Sequence, residues 1–152
     1  MNWFLDGTKL LISGNVTTGE ENRAVFVAST VTGNLRLIRE GAGFAAVSPD
    51  GSRIAYKNLQ QNEMWLMGVN GENPQRLLAA EPGYWFERMV WSSDGKRMAF
   101  MRSRRALDEV VIETLEFESG RRTVLLSDHR IRDFCWAPEG RSEEHTSELQ
   151  SR

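Results

Sequence analysis

The chain has 152 residues, 40% of them hydrophobic and 26% charged, with a formal net charge of −2. That balance fits an ordinary globular protein and excludes a strongly basic nucleic-acid footprint. No apolar run approaches the roughly 20 residues needed to cross a bilayer as a helix, and a single cysteine, Cys135, excludes an intrachain disulfide and any zinc-type cysteine spacing.

Taken in order, the chain repeats one unit, clearest over residues 48–78. It opens with Ser48-Pro49-Asp50-Gly51, where proline presets φ, serine can bond forward and glycine takes a position that needs positive φ. Strands are expected over Arg53-Ile54-Ala55-Tyr56 and the apolar run Met64-Trp65-Leu66-Met67. Asn70-Gly71 then marks a tight turn, and Arg76-Leu77-Leu78 closes the unit. Trp3 to Gly7, Trp91 to Gly95 and Trp136 to Gly140 match Val47 to Gly51, and the acidic positions 6, 50, 94 and 139 are spaced by 44, 44 and 45 residues. Strands follow each complete turn at Leu10-Leu11-Ile12 and Met98-Ala99-Phe100. Further strands are expected at Val25-Phe26-Val27, Val110-Val111-Ile112, Leu35 to Ile38 and Val124-Leu125-Leu126.

Four short strands per 40–45 residues is the pattern of a β-propeller blade, which cannot cover its own apolar faces and so stacks on its neighbours. The expected fold class is all-β: a β-propeller fragment of about three four-stranded antiparallel blades of a larger ring. The blades fall at about 1–43, 44–87 and 88–133, with the start of another at 134–140, all within a partial propeller spanning 1–140. The first turn lies only a few residues after Met1 and the fourth copy stops just after its turn, so the reading expects blades outside this chain. It also expects the end faces carrying Leu10, Ile12, Met98 and Phe100 to be partly exposed, so that residues 1–140 alone associate end to end. Arg141 to Ser151, RSEEHTSELQS, breaks the pattern and resembles a translated sequencing-library adapter. Residues 141–152 are therefore read as a non-native tail.

The string W/V-S-P-D-G, then R-I-A-Y, then M-W-L-M-x-x-N-G-E-N-P-Q-R-L-L, resembles the TolB-type, WD-repeat-like propeller repeat. The resemblance covers nearly all of residues 1–140. It implies a bacterial recognition domain that binds a protein or peptide. Such a domain is TolB-like, or sensory or scaffolding within a signalling protein such as a serine/threonine kinase, and the resemblance favours a periplasmic or extracytoplasmic setting. The alternative it implies is the substrate-gating propeller of a prolyl-oligopeptidase-type serine peptidase, whose catalytic domain would lie in other sequence.

The residues themselves offer no chemistry: no G-x-S-x-G, no H-E-x-x-H and no phosphate-cradling glycine loop. The segment is read as non-enzymatic, without cofactor, metal or nucleic-acid partner. His129 reads as a solvated loop histidine and Cys135 as a buried structural thiol. The aspartates of the Asp-Gly turns serve the turns rather than calcium. Trp3, Trp91 and Trp136 share a repeat position and read as packing between blades. Strand order puts the loops after each second strand, and the connections between blades, on one face. There Leu59-Gln60-Gln61-Asn62, Tyr84, Trp85, Phe86, Glu87, Arg104 and Arg105 are expected as loop residues. Of these, Tyr84, Trp85, Glu87, Arg104 and Arg105 are the candidate partner-binding set, being residue types common at binding hot spots. Phe86 is read as evenly balanced between exposure and folding back onto the blade.

Overall fold

The computed structural model describes residues 2–4, 6–16 and 22–137. The tail at 141–152 and the fourth turn through Gly140 lie outside them. The strands are β1 (Asn2–Trp3), β2 (Lys9–Asn15), β3 (Arg23–Ser29), β4 (Leu35–Glu40), β5 (Ala42–Val47), β6 (Arg53–Asn58), β7 (Glu63–Gly68), β8 (Gln75–Ala79), β9 (Trp85–Trp91), β10 (Arg97–Arg104), β11 (Glu109–Glu116) and β12 (Arg122–Ser127). They form three antiparallel four-stranded sheets in simple sequential order, β1 to β4, β5 to β8 and β9 to β12. The one helical turn among the described residues is a 3-10 turn at Arg105–Leu107.

The turn opening each unit is held from within. Asp50 Oδ1 accepts the Ser48 hydroxyl at 2.6 Å, the Ser52 amide at 3.0 Å and the Ser52 hydroxyl at 2.8 Å, while the Arg53 amide donates to Ser48 Oγ at 2.9 Å. Ser92 and Asp94 repeat the arrangement 44 residues on. Gly51 and Gly95 close these turns at φ 73° and 67°, a region that costs an L side chain strain. The Ser48 hydroxyl, followed by the Ser52 donors, holds the Asp50 carboxyl down to about 2.

The middle sheet divides its side chains between two cores because successive residues of a strand point to opposite faces. Ile54, Tyr56 and Met67 join Leu11, Val25 and Val27 of the first sheet. Ala55 and Met64 face the other way, against Phe86, Met89, Trp91, Met98 and Phe100 of the third. Met98 and Phe100 are fully buried, which corrects the expectation that they form an exposed end face. The alternation of β10 turns them towards the middle sheet, while Leu10 and Ile12 are half-buried. Exposed apolar residues instead include Leu35 and Leu37 of β4 and Val124, Leu125 and Leu126 of β12, the outermost strands.

Two sheets are joined by an interaction tied to the repeat. Trp91 Nε1 donates to the carbonyl of Ala46, on the unpaired edge of β5, at 3.1 Å. Arg53, from the start of β6, places its guanidinium 5.1 Å from the Trp91 ring. The arrangement recurs one unit later: Trp136 Nε1 donates to Val90 O at 3.1 Å, and Arg97 lies 5.0 Å from the Trp136 ring. These tryptophans therefore pack between units. Trp3, at the same repeat position, is 61% exposed. Cys135, beside Trp136, is exposed rather than buried, since alternation turns it away from the surface that receives the indole.

Trp91→Phe should lower stability by about 1–2 kcal/mol, because it removes the indole donor and strips a buried carbonyl of a partner. Denaturant unfolding of Arg53→Met, Trp91→Phe and the double variant should show a coupling of about 0.5–1 kcal/mol, the size of a cation–π contact. Additive effects would show that the arginine does not contribute through the Trp91 ring.

Candidate functional site

The inner strands of the second and third sheets are each interrupted at the same level. In β5 the register slips between Gly43 and Ala45, leaving Phe44 as an extra residue. The pairing of β9 with β10 slips between Phe100 and Arg102, so Glu87 and Arg88 bulge. Bulges re-aim side chains and free backbone groups from the ladder. Here the preceding sheet serves both. Ser13 Oγ accepts the Ala45 amide at 3.1 Å. Exactly one repeat of 44 residues later in sequence, Lys57 Nζ donates to Phe86 O at 2.7 Å, Glu87 O at 2.9 Å and Gln61 Oε1 at 3.1 Å. Lys57 is buried, and desolvation pulls its ammonium down to about 8 against the opposing pull of the Glu87 carboxylate, with Arg23 lowering it further.

Around these bulges lies a cavity of about 390 Å³, lined by Ser13, Asn15, Arg23, Phe44, Lys57 and Glu87 among others. Phe44, 38% exposed, also borders a second cavity of about 440 Å³ along the inner strands, with Trp3, Arg88 and Trp91. Arg88 pairs with Asp133 at 2.8 Å as an ion pair, without the alignment of a hydrogen bond.

The residues expected at the binding face are placed as follows. Trp85, Phe86 and Glu87 belong to strand β9 and not to a loop. Gly83, at φ 85°, makes the turn before them, and the Phe86 amide bonds Gln61 O at 2.7 Å, fixing Phe86 in the core. Arg104 ends β10 opposite Glu109, and Arg105 opens the 3-10 turn. Tyr84 donates its hydroxyl to Glu109 and lies under two guanidiniums, Arg102 at 4.3 Å and Arg104 at 5.5 Å. Glu87 accepts the Ser103 hydroxyl at 2.6 Å. Arg102 in turn bridges Glu81 and the buried Glu113, which also holds Arg122 at 2.7 Å. Much of the expected polar set is therefore paired within the third sheet. Trp85 keeps an open surface, at 36% exposed.

Sequence reasoning missed Lys57, Phe44 and Arg23. The available signal was the double burial of β6: a lysine in phase with Ala55 has to face the next sheet.

His129 is an exposed loop residue 3.9 Å from the Asp128 carboxylate. Among the described residues no group of three or more His, Cys, Asp or Glu side chains is arranged to hold a metal ion, and no helix is long and apolar enough to cross a membrane.

No protein-family model matches the chain, and no curated protein matches its sequence. Solved structures do. A TolB-type protein of Agrobacterium tumefaciens superposes with a TM-score of 0.70 at 17% identity, over 83% of this chain and 48% of that one. The chain has a TolB-like β-propeller fold. An oligogalacturonate lyase from Vibrio parahaemolyticus matches with a TM-score of 0.66 at 16% identity, over 84% of this chain and 39% of that one. A chain of a nidogen/laminin complex matches with a TM-score of 0.59 at 16% identity, over 80% of this chain and 50% of that one. Peptidase propellers are also similar. This chain spans half or less of the length of these structures, so its three sheets correspond to part of a propeller. At these identities the likeness is one of fold.

Lys57→Met should cost about 1–3 kcal/mol, since it orphans two bulge carbonyls. The cost should grow as pH rises from 8 towards 10. In that window the unfolded chain still binds the lysine proton that the folded chain has released, so raising pH stabilises the wild type and leaves the variant unchanged. Paired denaturation curves at pH 7, 8.5 and 10 measure this; a pH-independent difference would remove Lys57 from the account.

Proposed function

We propose that this propeller segment is a recognition surface, non-catalytic in its own residues, that binds a protein or peptide partner. The observation that carries the reading is the pair of open aromatics on inner strands of adjacent sheets: Phe44, which lines a preformed cavity together with Glu87, and Trp85, two residues before Glu87. Aromatics left open beside a cavity are what binding hot spots are made of. The carboxylates and guanidiniums of the third sheet are largely committed to one another and to Ser103. The reading places the chain in a TolB-like protein or in the sensory or scaffolding domain of a bacterial signalling protein such as a serine/threonine kinase. Tyr84 and Arg104, with Arg105 next in sequence, would then belong to the same partner-binding set as Trp85.

Selection of a displayed random-peptide library on the purified chain tests this. Wild type should enrich a consensus, and the selected peptide should bind at least tenfold more weakly to Trp85→Ser or Phe44→Ser at unchanged melting temperature. Absence of a consensus, or a consensus indifferent to both substitutions, would overturn the reading.

A further inference from the structure

The cavity beside the bulge of β5 contains a guanidinium that no described residue neutralises. Arg23, the first residue of β3, is exposed at the cavity wall, next to Gly43. Its side chain makes no hydrogen bond or ion pair with any other described residue. The other charged lining groups are accounted for. Lys57 has three protons and three acceptors, at Gln61, Phe86 and Glu87. Glu87, the one carboxylate of the lining, is held by Ser103 and lies beyond ion-pair distance of Arg23.

We propose that this cavity binds a single carboxylate of a peptide partner, with Arg23 as its counter-ion and Phe44 as the seat for the adjoining apolar side chain. The inference rests on the recognition reading above and names the chemistry of its partner. The guanidinium fork matches a carboxylate through two parallel hydrogen bonds. Two cations to one carboxylate leave the lining one positive charge in excess, which suits a monoanion, whereas a phosphate dianion would meet Glu87. Burial is the main reason the Lys57 ammonium is lowered, and repulsion from Arg23 adds a smaller part that an incoming carboxylate would relieve. A volume of about 390 Å³ lies at the small end of ligand pockets, the size for one or two side chains. Phe44, carried on a bulge and open to both cavities, supplies the apolar contact.

The test is titration calorimetry on the full chain with three probes: a capped pentapeptide of leucines around one central glutamate, its glutamine counterpart, and digalacturonate as a non-peptide carboxylate. The glutamate peptide should bind at least tenfold tighter than the glutamine peptide. That preference should vanish in Arg23→Gln, persist in part in Arg23→Lys and shrink in 0.5 M salt, with melting temperatures unchanged. Phe44→Ser should weaken both peptides alike. Equal affinity for the two peptides, or a preference that survives Arg23→Gln, would overturn the proposal. A library-selected peptide that needs Trp85 but ignores Arg23 would overturn it while leaving the recognition reading standing. Arg23-dependent binding of digalacturonate with no binding of either peptide would overturn the peptide source.

Discussion

A four-stranded sheet with apolar residues on both faces cannot stand in water alone, and everything else in this structure follows from how each sheet is covered by the next. Burial of Met98, Phe100, Met64 and Phe86 between the second and third sheets contributes about 1.5–3 kcal/mol per large side chain. That attraction has no direction of its own. The tryptophan of the next inner strand supplies one, because its indole must find an acceptor when buried and finds it on the open edge of the preceding sheet. The arginine two residues after the Asp-Gly glycine then covers the ring. The first junction lacks this device. Val47 stands where a tryptophan would, and Lys9 stands where an arginine would, lying over Phe4 instead. Ser13, Arg36 and Arg39 make the cross-sheet contacts there, to Ala45, Asn70 and the Tyr56 ring.

The same stacking builds the candidate site. A bulged inner strand cannot satisfy its own backbone, so the neighbouring sheet must reach across, by Ser13 in one case and Lys57 in the other. Reaching across fixes the spacing of adjacent inner strands at this end of the molecule. A cavity opens there, with Phe44 and Glu87 turned into it by the extra residues. The salt-bridge network of Glu81, Arg102, Glu113 and Arg122 stiffens the third sheet behind that wall. Isolated surface pairs would contribute little, but Glu113 is buried and held by two guanidiniums.

The strands were legible in the sequence because turn chemistry and alternation are local and repeat at a constant interval. The aspartate and glycine of the turns at Asp50 and Asp94, and the packing role of Trp91 and Trp136, could be read from position alone, whereas Trp3, read the same way, is exposed. The bulges could not. An extra residue in an inner strand leaves the 44-residue interval unchanged, so Trp85 and Glu87 read as loop while they extend a strand, and Phe44 reads as an ordinary strand residue. Lys57 drew no reading from the sequence, yet its side chain is buried and its ammonium caps carbonyls that only the fold exposes. Cys135 was misplaced for the opposite reason. Its apolar neighbours suggested burial, but alternation next to a docked indole turns it outwards. Within the candidate site, residue type identified Trp85, whereas Arg23 and Phe44 emerged only once three sheets were side by side.

Hydrogen exchange at the tryptophan indoles, followed by NMR, tests the stacking directly, since the chain's five tryptophans report five separate environments. The Nε1 proton of Trp91 should be strongly protected and that of Trp136 less so, with Trp3 and Trp85 exchanging near the rate of a free indole. A Trp91 indole that exchanges as fast as Trp3 would contradict the account, because the second and third sheets would then not be joined as described.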